Sequence, residues 1–325
     1  MPRVVTMIAS ATEIVCALGC EADLVGRSHE CDYPPSVKAL PVCTAPRFEI
    51  HGSSREIDDR VKALLGEAQP IYHVDPVMLE ALRPDVIITQ SHCEVCAVSD
   101  KDVDRALAQA LPRAPTVVSL APNNLAEVWT SIRIVADALK VSSRGEELIR
   151  WLQQRVDRIA QLAATAERQP TVACLEWLDP FMAAGNWVPE LVTLAGGRNL
   201  FGEAGKHSPW MTFEALLVRD PDVIIAMPCG FDLKKTRIEL ADAVQSNAWG
   251  RLRAVQSEQV YIVDGNQYFN RPGPRLVESL EILAEIFHPR MFAFGHRERG
   301  AACGLALAWR LASAKPQEAK SQHGQ

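Results

Sequence analysis

The chain lacks the short motifs that mark common enzyme chemistries. It has no G-x-S-x-G elbow and no G-x-x-x-x-G-K-[ST] phosphate loop, and no G-x-G-x-x-G follows its first strand. His29, His92 and His207 have no carboxylate or nucleophile at a spacing that compels acid–base or covalent catalysis, so a non-catalytic role is expected. No apolar stretch approaches the roughly 20 residues a membrane span needs. Positive charge is not in excess, and a net charge of −6 argues against a general affinity for nucleic acid. No basic segment, apolar run and small-residue cleavage site precede the first strand, so a cytoplasmic location is expected for the chain as it begins. An earlier start carrying a leader would make it periplasmic. The nine cysteines are odd in number and scattered, which favours a reducing compartment over a disulfide framework. Aromatic residues are only 6% of the chain. Hydrophobic content of 48% and charged content of 23% are ordinary for a globular protein and exclude wholesale disorder.

What the chain does have is a duplicated phrase. Residues 78–90 read MLEALRPDVIITQ and residues 213–226 read FEALLVRDPDVIIA. Each reads as a short helix, a turn with Pro-Asp, and an apolar strand that ends at a polar loop. Pro84-Asp85 and Pro221-Asp222 hold the same place. A second echo precedes each copy: Glu13-Ile-Val-Cys-Ala-Leu-Gly19 and Glu190-Leu-Val-Thr-Leu-Ala-Gly196. Two echoes in the same order imply two similar α/β lobes with a cleft between them.

In the first lobe, strands near 3–9, 24–26, 71–74, 85–89 and 116–120 alternate with helices, which indicates a parallel sheet covered on both faces. Residues 28–52 read as a long polar loop. Capping boxes Ser53/Glu56 and Ser99/Asp102 start helices 54–67 and 100–110, and Asp75 with Pro76 starts another. Residues 124–168 are helical without proline, and Ser143/Glu146 read as a further capping box, so a break is expected near 140–143. The second of these helices, about 144–167, spans roughly 36 Å at 1.5 Å per residue. It restrains the lobes more than a flexible linker would. The second lobe carries strands near 171–175, 222–226 and 259–263 and a closing helix at 272–287. The division expected is 1–122 for the first lobe, 123–168 for the connecting helices and 169–290 for the second lobe. A tail follows at 291–325, whose apolar piece 301–312 reads as a docked or fraying helix and whose last residues are polar and expected to be disordered.

Ligands in such sheets bind beyond the carboxyl ends of the strands. There the sequence places a possible metal cluster, His92-Cys93-Glu94-Val95-Cys96, with His29-Glu30-Cys31 at another strand end. Thiolate and imidazole suit zinc or copper(I). This leaves a metal- or thiol-dependent enzyme using His92, Cys93 and Cys96 as one alternative. The competing reading is ordinary thiols beside hydrogen-bonded histidines, since a single C-x-x-C has no second pair. A third reading starts from the aromatics. Tyr33, Tyr72, Trp177, Phe181, Trp187, Trp210, Tyr268 and Phe269 fall in the strand-end loops. They would supply broad apolar contact to a large organic ligand, although Phe181, Trp187 and Phe269 also fit lobe core.

Three stretches carry a family resemblance. They are Ile8-Ala9-Ser10-Ala11-Thr12-Glu13, Gly26-Arg27-Ser28-His29-Glu30-Cys31-Asp32-Tyr33-Pro34-Pro35 and Leu82-Arg83-Pro84-Asp85-Val86-Ile87-Ile88. Together they resemble the first lobe of cobalamin-binding proteins of ABC importers, within the wider iron-complex and cobalamin substrate-binding family. Pro209-Trp210 and Tyr268-Phe269-Asn270-Arg271-Pro272-Gly273-Pro274-Arg275 resemble the second lobe. The resemblance runs over residues 3–288. It implies two α/β lobes joined by a long helix, little hinge motion, and a monomer that holds cobalamin or a related corrinoid in the cleft. A ferric siderophore or haem is the alternative ligand. By position it implies Ser10, His29, Glu30, Tyr33, Tyr72, Gln90, His92, Trp177, Trp210, Phe269 and Arg271 as ligand contacts. It also implies Glu214 as a docking residue for an ABC permease, with Val77 at the first lobe's equivalent place, and if a corrinoid binds, His29, His92 or His207 is the candidate cobalt ligand that this chain's own departures from the family suggest. The loops depart from the family where His29-Glu30-Cys31 precedes Asp32-Tyr33-Pro34 and where Gln90 replaces an aromatic, so a polar cleft is expected.

Overall fold

The structure is a computed structural model that describes residues 1–91, 98–110, 114–244, 248–297 and 302–304. Its first part runs β1 (Val4–Thr6), α1 (Ala9–Ala17), β2 (Leu24–Arg27), β3 (Thr44–Pro46), α2 (Ser54–Gly66), β4 (Tyr72–Val74), α3 (Pro76–Leu82), β5 (Val86–Gln90), α4 (Asp100–Ala110) and β6 (Thr116–Leu120). Strands β2-β1-β5-β6 form one sheet in that order, with every pair parallel. The segment 71–74 is a strand but not a member of this sheet. It pairs antiparallel with β3, inside the stretch read as a polar loop. Only Thr44–Pro46 pairs there, and so short a strand leaves too little periodicity to read in sequence.

Two helices connect the lobes, α5 (Leu125–Ala138) and α6 (Ser142–Ala163). Asn124 caps α5 by accepting from the Glu127 N–H. The break falls where expected, but Ser143 does not make it. Lys140 adopts a left-handed φ of 59°, Val141 takes the N-cap position, and Glu146 is engaged by Arg133 instead. At 22 residues α6 is roughly 33 Å long.

The second part runs β7 (Thr171–Leu178), β8 (Phe181–Ala183), α7 (Val188–Leu194), β9 (Arg198–Asn199), α8 (Phe213–Arg219), β10 (Val223–Ala226), α9 (Leu233–Ala243), α10 (Arg253–Gln256), β11 (Val260–Val263), α11 (Leu276–Phe287) and β12 (Ala302–Gly304). Its sheet has a parallel centre, β11-β10-β7-β9, with antiparallel edges β12 and β8. The helix expected over 301–312 is therefore replaced, at 302–304, by an edge strand.

Strand alternation decides where the core lies. Val4, Val86 and Ile88 of the first sheet, and Val172, Cys174, Val223 and Ile225 of the second, join one buried cluster. Side chains of α1, α5, α6, α7 and α11, among them Ile14, Ile132, Leu152, Leu191 and Leu280, complete it. The intervening residues point the other way. Val5, Met7 and Ile87 pack under Leu79 and Val103, while Ala173, Leu175 and Ile224 pack under Leu216 and Trp249. A single core thus passes through both lobes beneath the connector, with period two on each strand deciding membership.

The duplicated phrase is duplicated in structure. Asp75 and Thr212 cap α3 and α8. Both helices end on a left-handed residue, Arg83 at φ 44° and Asp220 at φ 39°. The two Pro-Asp carboxylates then do one job. Asp85 accepts from the Arg3 N–H and Asp222 from the Thr171 N–H, each at the start of its lobe's first strand. The upstream echo matches α1 with α7, which stop before Gly19 at φ 72° and Gly196 at φ 81°. Left-handed values of this kind favour glycine.

Candidate functional site

The carboxyl ends of both sheets meet at one cavity of about 100 Å³. Strand β1 delivers Ile8, Ala9 and Ser10 at the start of α1, and the loop after β2 delivers Glu30. Gln90 ends β5, and Leu120 and Pro122 follow β6. From the second lobe come Glu176 of β7, Gly185 to Val188 before α7, Cys229 and Gly230 after β10, and Gly265 to Pro272 after β11, Gln267 and Tyr268 excepted. Close backbone packing shapes this wall. A Cβ on Gly265 would lie 2.1 Å from the Pro228 carbonyl oxygen, so only glycine lets the β10 and β11 loops approach so closely. Phe269 is fully buried and holds a left-handed φ of 64°. Its N–H donates to Ser279 Oγ at 3.0 Å, and its carbonyl accepts from Trp187 Nε1 at 2.6 Å.

Charged pairs close the lobes over the cavity. Glu13, on α1, is buried and accepts from Arg275 at 2.6 and 2.9 Å and from Arg271 at 3.2 Å. Arg271 also donates to Asp32 at 2.7 Å. Farther out, the Ser54 N–H and hydroxyl at the start of α2 donate to Glu239 of α9 at 2.8 and 2.6 Å. Arg55 donates to Asp179. The echoed glutamate of α7, Glu190, accepts from the Leu125 N–H at the start of α5. Burial costs such charges dearly unless they are paired, and next to the cavity the first lobe's Glu13 and Asp32 meet the second lobe's Arg271 and Arg275.

Of the residues expected at the ligand, Ser10, Glu30, Gln90, Phe269 and Arg271 line this cavity. Burial pushes the Glu30 carboxyl up to about 7, with Arg271 opposing the rise and Asp32 adding to it. Five others lie elsewhere. His29 turns its Nδ1 to Thr44 Oγ1 at 2.7 Å and packs against the buried Tyr72 ring. Burial, with nearby Arg27, lowers its pKa to about 4, so the imidazole is neutral near pH 7. Tyr33 lies under the Arg275 guanidinium, 3.9 Å from its ring centre. Trp177 follows Glu176 on β7, and alternation sends it away from the cavity onto Phe231. Trp210 is exposed, with the Lys62 ammonium of α2 at 5.4 Å from its ring. His207 is exposed and does not reach the cavity. His92, Cys93 and Cys96 lie outside the described residues. Among the described residues no group of three His, Cys, Asp or Glu side chains could hold a metal ion. Glu214 is exposed on the first turn of α8.

The sequence reading passed over Glu176, Asn186, Cys229, Asn266 and Asn270, all of which line the cavity. Most follow strand ends, so their position rather than their residue type is the signal that places them at the site.

The periplasmic binding protein family matches residues 4–266. The chain belongs to that family. Periplasmic binding proteins of this class are transporter components rather than enzymes, which removes the metal- or thiol-dependent enzyme reading. This periplasmic binding protein is 25% identical over 281 residues to the vitamin B12-binding protein of Vibrio cholerae, covering 86% of each chain. It is 23% identical over 298 residues to the ABC transporter substrate-binding lipoprotein YvrC of Bacillus subtilis, covering 89% of this chain and 81% of that one. The crystal structure of a periplasmic heme-binding protein from Pseudomonas aeruginosa superposes with a TM-score of 0.68 at 22% identity, covering 90% of this chain and 94% of the other. The cytoplasmic expectation finds no support in these relatives, which include a lipoprotein. No described helix is long and apolar enough to cross a membrane.

Proposed function

We propose that this chain is the substrate-binding component of an ABC importer and takes cobalamin or a related corrinoid, one per chain, between its lobes. What supports this reading is a cavity to which both lobes contribute, walled by Phe269 and Trp187 and by amide and carboxyl groups. The full-length likeness to a protein named for vitamin B12 points the same way. The corrin would enter where the lobes now meet, because ligand pockets of this kind run from about 300 to 1,000 Å³ and the closed cavity is smaller. Glu214 is proposed to meet a basic side chain of the permease. Its counterpart on the first lobe is Val77, 72% exposed, so the two lobes would dock unequally.

Thermal unfolding of the purified protein with cyanocobalamin, haemin, a ferric siderophore and zinc separates the ligands. The corrinoid reading expects a rise in melting temperature with cyanocobalamin, since a ligand that binds only the folded state stabilises it. A rise with haemin or the siderophore and none with cyanocobalamin would reject it. Reconstituted with its permease, Glu214→Lys should cut transport at least about tenfold while leaving corrinoid affinity unchanged, because the reversed charge opposes docking. Unimpaired transport would remove Glu214 from the interface.

A further inference from the structure

We propose that Asn186 and Glu30 read the amide periphery of the ligand, so that the cleft takes a neutral, carboxamide-bearing metal chelate and refuses one carrying carboxylates in those places. This rests on the corrinoid reading and narrows it.

The first observation is an unsatisfied acceptor. Asn186 lines the cavity and is 8% exposed. Its backbone is fully engaged, donating to Lys206 O at 2.7 Å and accepting from Gly205 N at 2.9 Å. Its side-chain Oδ1 is buried and has no hydrogen-bond partner. Most buried polar atoms in folded proteins are paired, and because Asn186 lines the cavity we assign its missing partner to a donor on the ligand. The left-handed φ of 52° at Asn186 is a conformation that asparagine tolerates better than most residues.

The second observation is the balance of charge. Glu30 of one lobe and Glu176 of the other both line the cavity. Among the described lining residues Arg271 is the only cation, and Glu13 and Asp32 already share it. A ligand carboxylate placed here would meet carboxyl groups on both walls. Opening the lobes keeps this, because Glu30 stays with the first lobe and Glu176 with the second. A ligand between them must donate to these walls as well as accept. A primary amide does both, whereas a carboxylate only accepts.

The test is calorimetric titration at about pH 8 with cyanocobalamin and with its monocarboxylic acids, in which one peripheral amide has been hydrolysed. The wild-type protein should bind at least one acid about tenfold or more weakly than the parent, as sites built around a hydrogen bond reject the analogue that cannot make it. Asn186→Gly removes the acceptor but keeps the left-handed backbone, and its melting temperature reports that it is folded. It should weaken cyanocobalamin by about tenfold. Glu30→Gln should narrow the gap between amide and acid. Equal affinity for cyanocobalamin and every monocarboxylic acid, or unchanged affinity in a folded Asn186→Gly, overturns the inference and leaves corrinoid binding standing. Binding of haemin with no binding of any corrinoid overturns both.

Discussion

Glu30 faces the cavity with a carboxyl that burial holds protonated to about pH 7, where the unperturbed group titrates near 4.5. Between those values the folded chain binds more protons than the unfolded one, so this residue lowers stability progressively as pH rises through that window. Glu30→Gln carries no charge at any pH. It should match the wild type near pH 4 and exceed it by on the order of 1–2 kcal/mol above pH 7, after discounting for partial exposure. Thermal unfolding of both proteins across this range checks it, and a difference that does not widen with pH contradicts it. The family resemblance put Glu30, Ser10, Gln90, Phe269 and Arg271 at the site, and all five fall in or beside segments that follow strand ends. It did not reveal Asn186. That residue's importance comes from an unpaired oxygen, which depends on the packing of Lys206 and Gly205 around its backbone.

At the scale of elements, the repeated helix–turn–strand is legible because each part has a local cause. Asp75 and Thr212 cap, a left-handed residue ends the helix, and the Pro-Asp carboxylate ties the new strand to the lobe's first strand. The two copies differ in how much rests on that carboxylate. Asp222 accepts from the Thr171 N–H and hydroxyl and pairs with Arg168 and Arg253. Asp85 receives the Arg3 N–H. Asp222→Ala should therefore cost about 2–3 kcal/mol and Asp85→Ala about 1 kcal/mol in urea unfolding. Equal costs would mean the neighbouring arginines add nothing. The elements that escaped the sequence are short ones, β3, β8, β9 and α10, and the antiparallel edge β12. So few residues carry no periodicity, and β1 and β4, equally short, were legible because they sit in longer apolar or strand-like runs.

Across the whole molecule, the connector and the shared core fix two lobes, and the number of lobes was visible in the repeats. Their closure was not. It is made by side chains far apart in the chain, Ser54 with Glu239 at a separation of 185 residues and Glu13 with Arg275 at 262. No local pattern encodes such pairs. They convert two carboxyl-end surfaces into one small cavity, and a corrinoid must part at least some of them to enter. The central claim is that the space between the lobes receives one corrinoid. Isothermal titration of the purified chain with cyanocobalamin tests it most directly. The account predicts a saturable heat with one ligand per chain and a negative heat-capacity change as apolar surface of the ligand and the opened cleft is covered. No heat of binding to cyanocobalamin, with a saturable one-to-one titration by haemin, would contradict it.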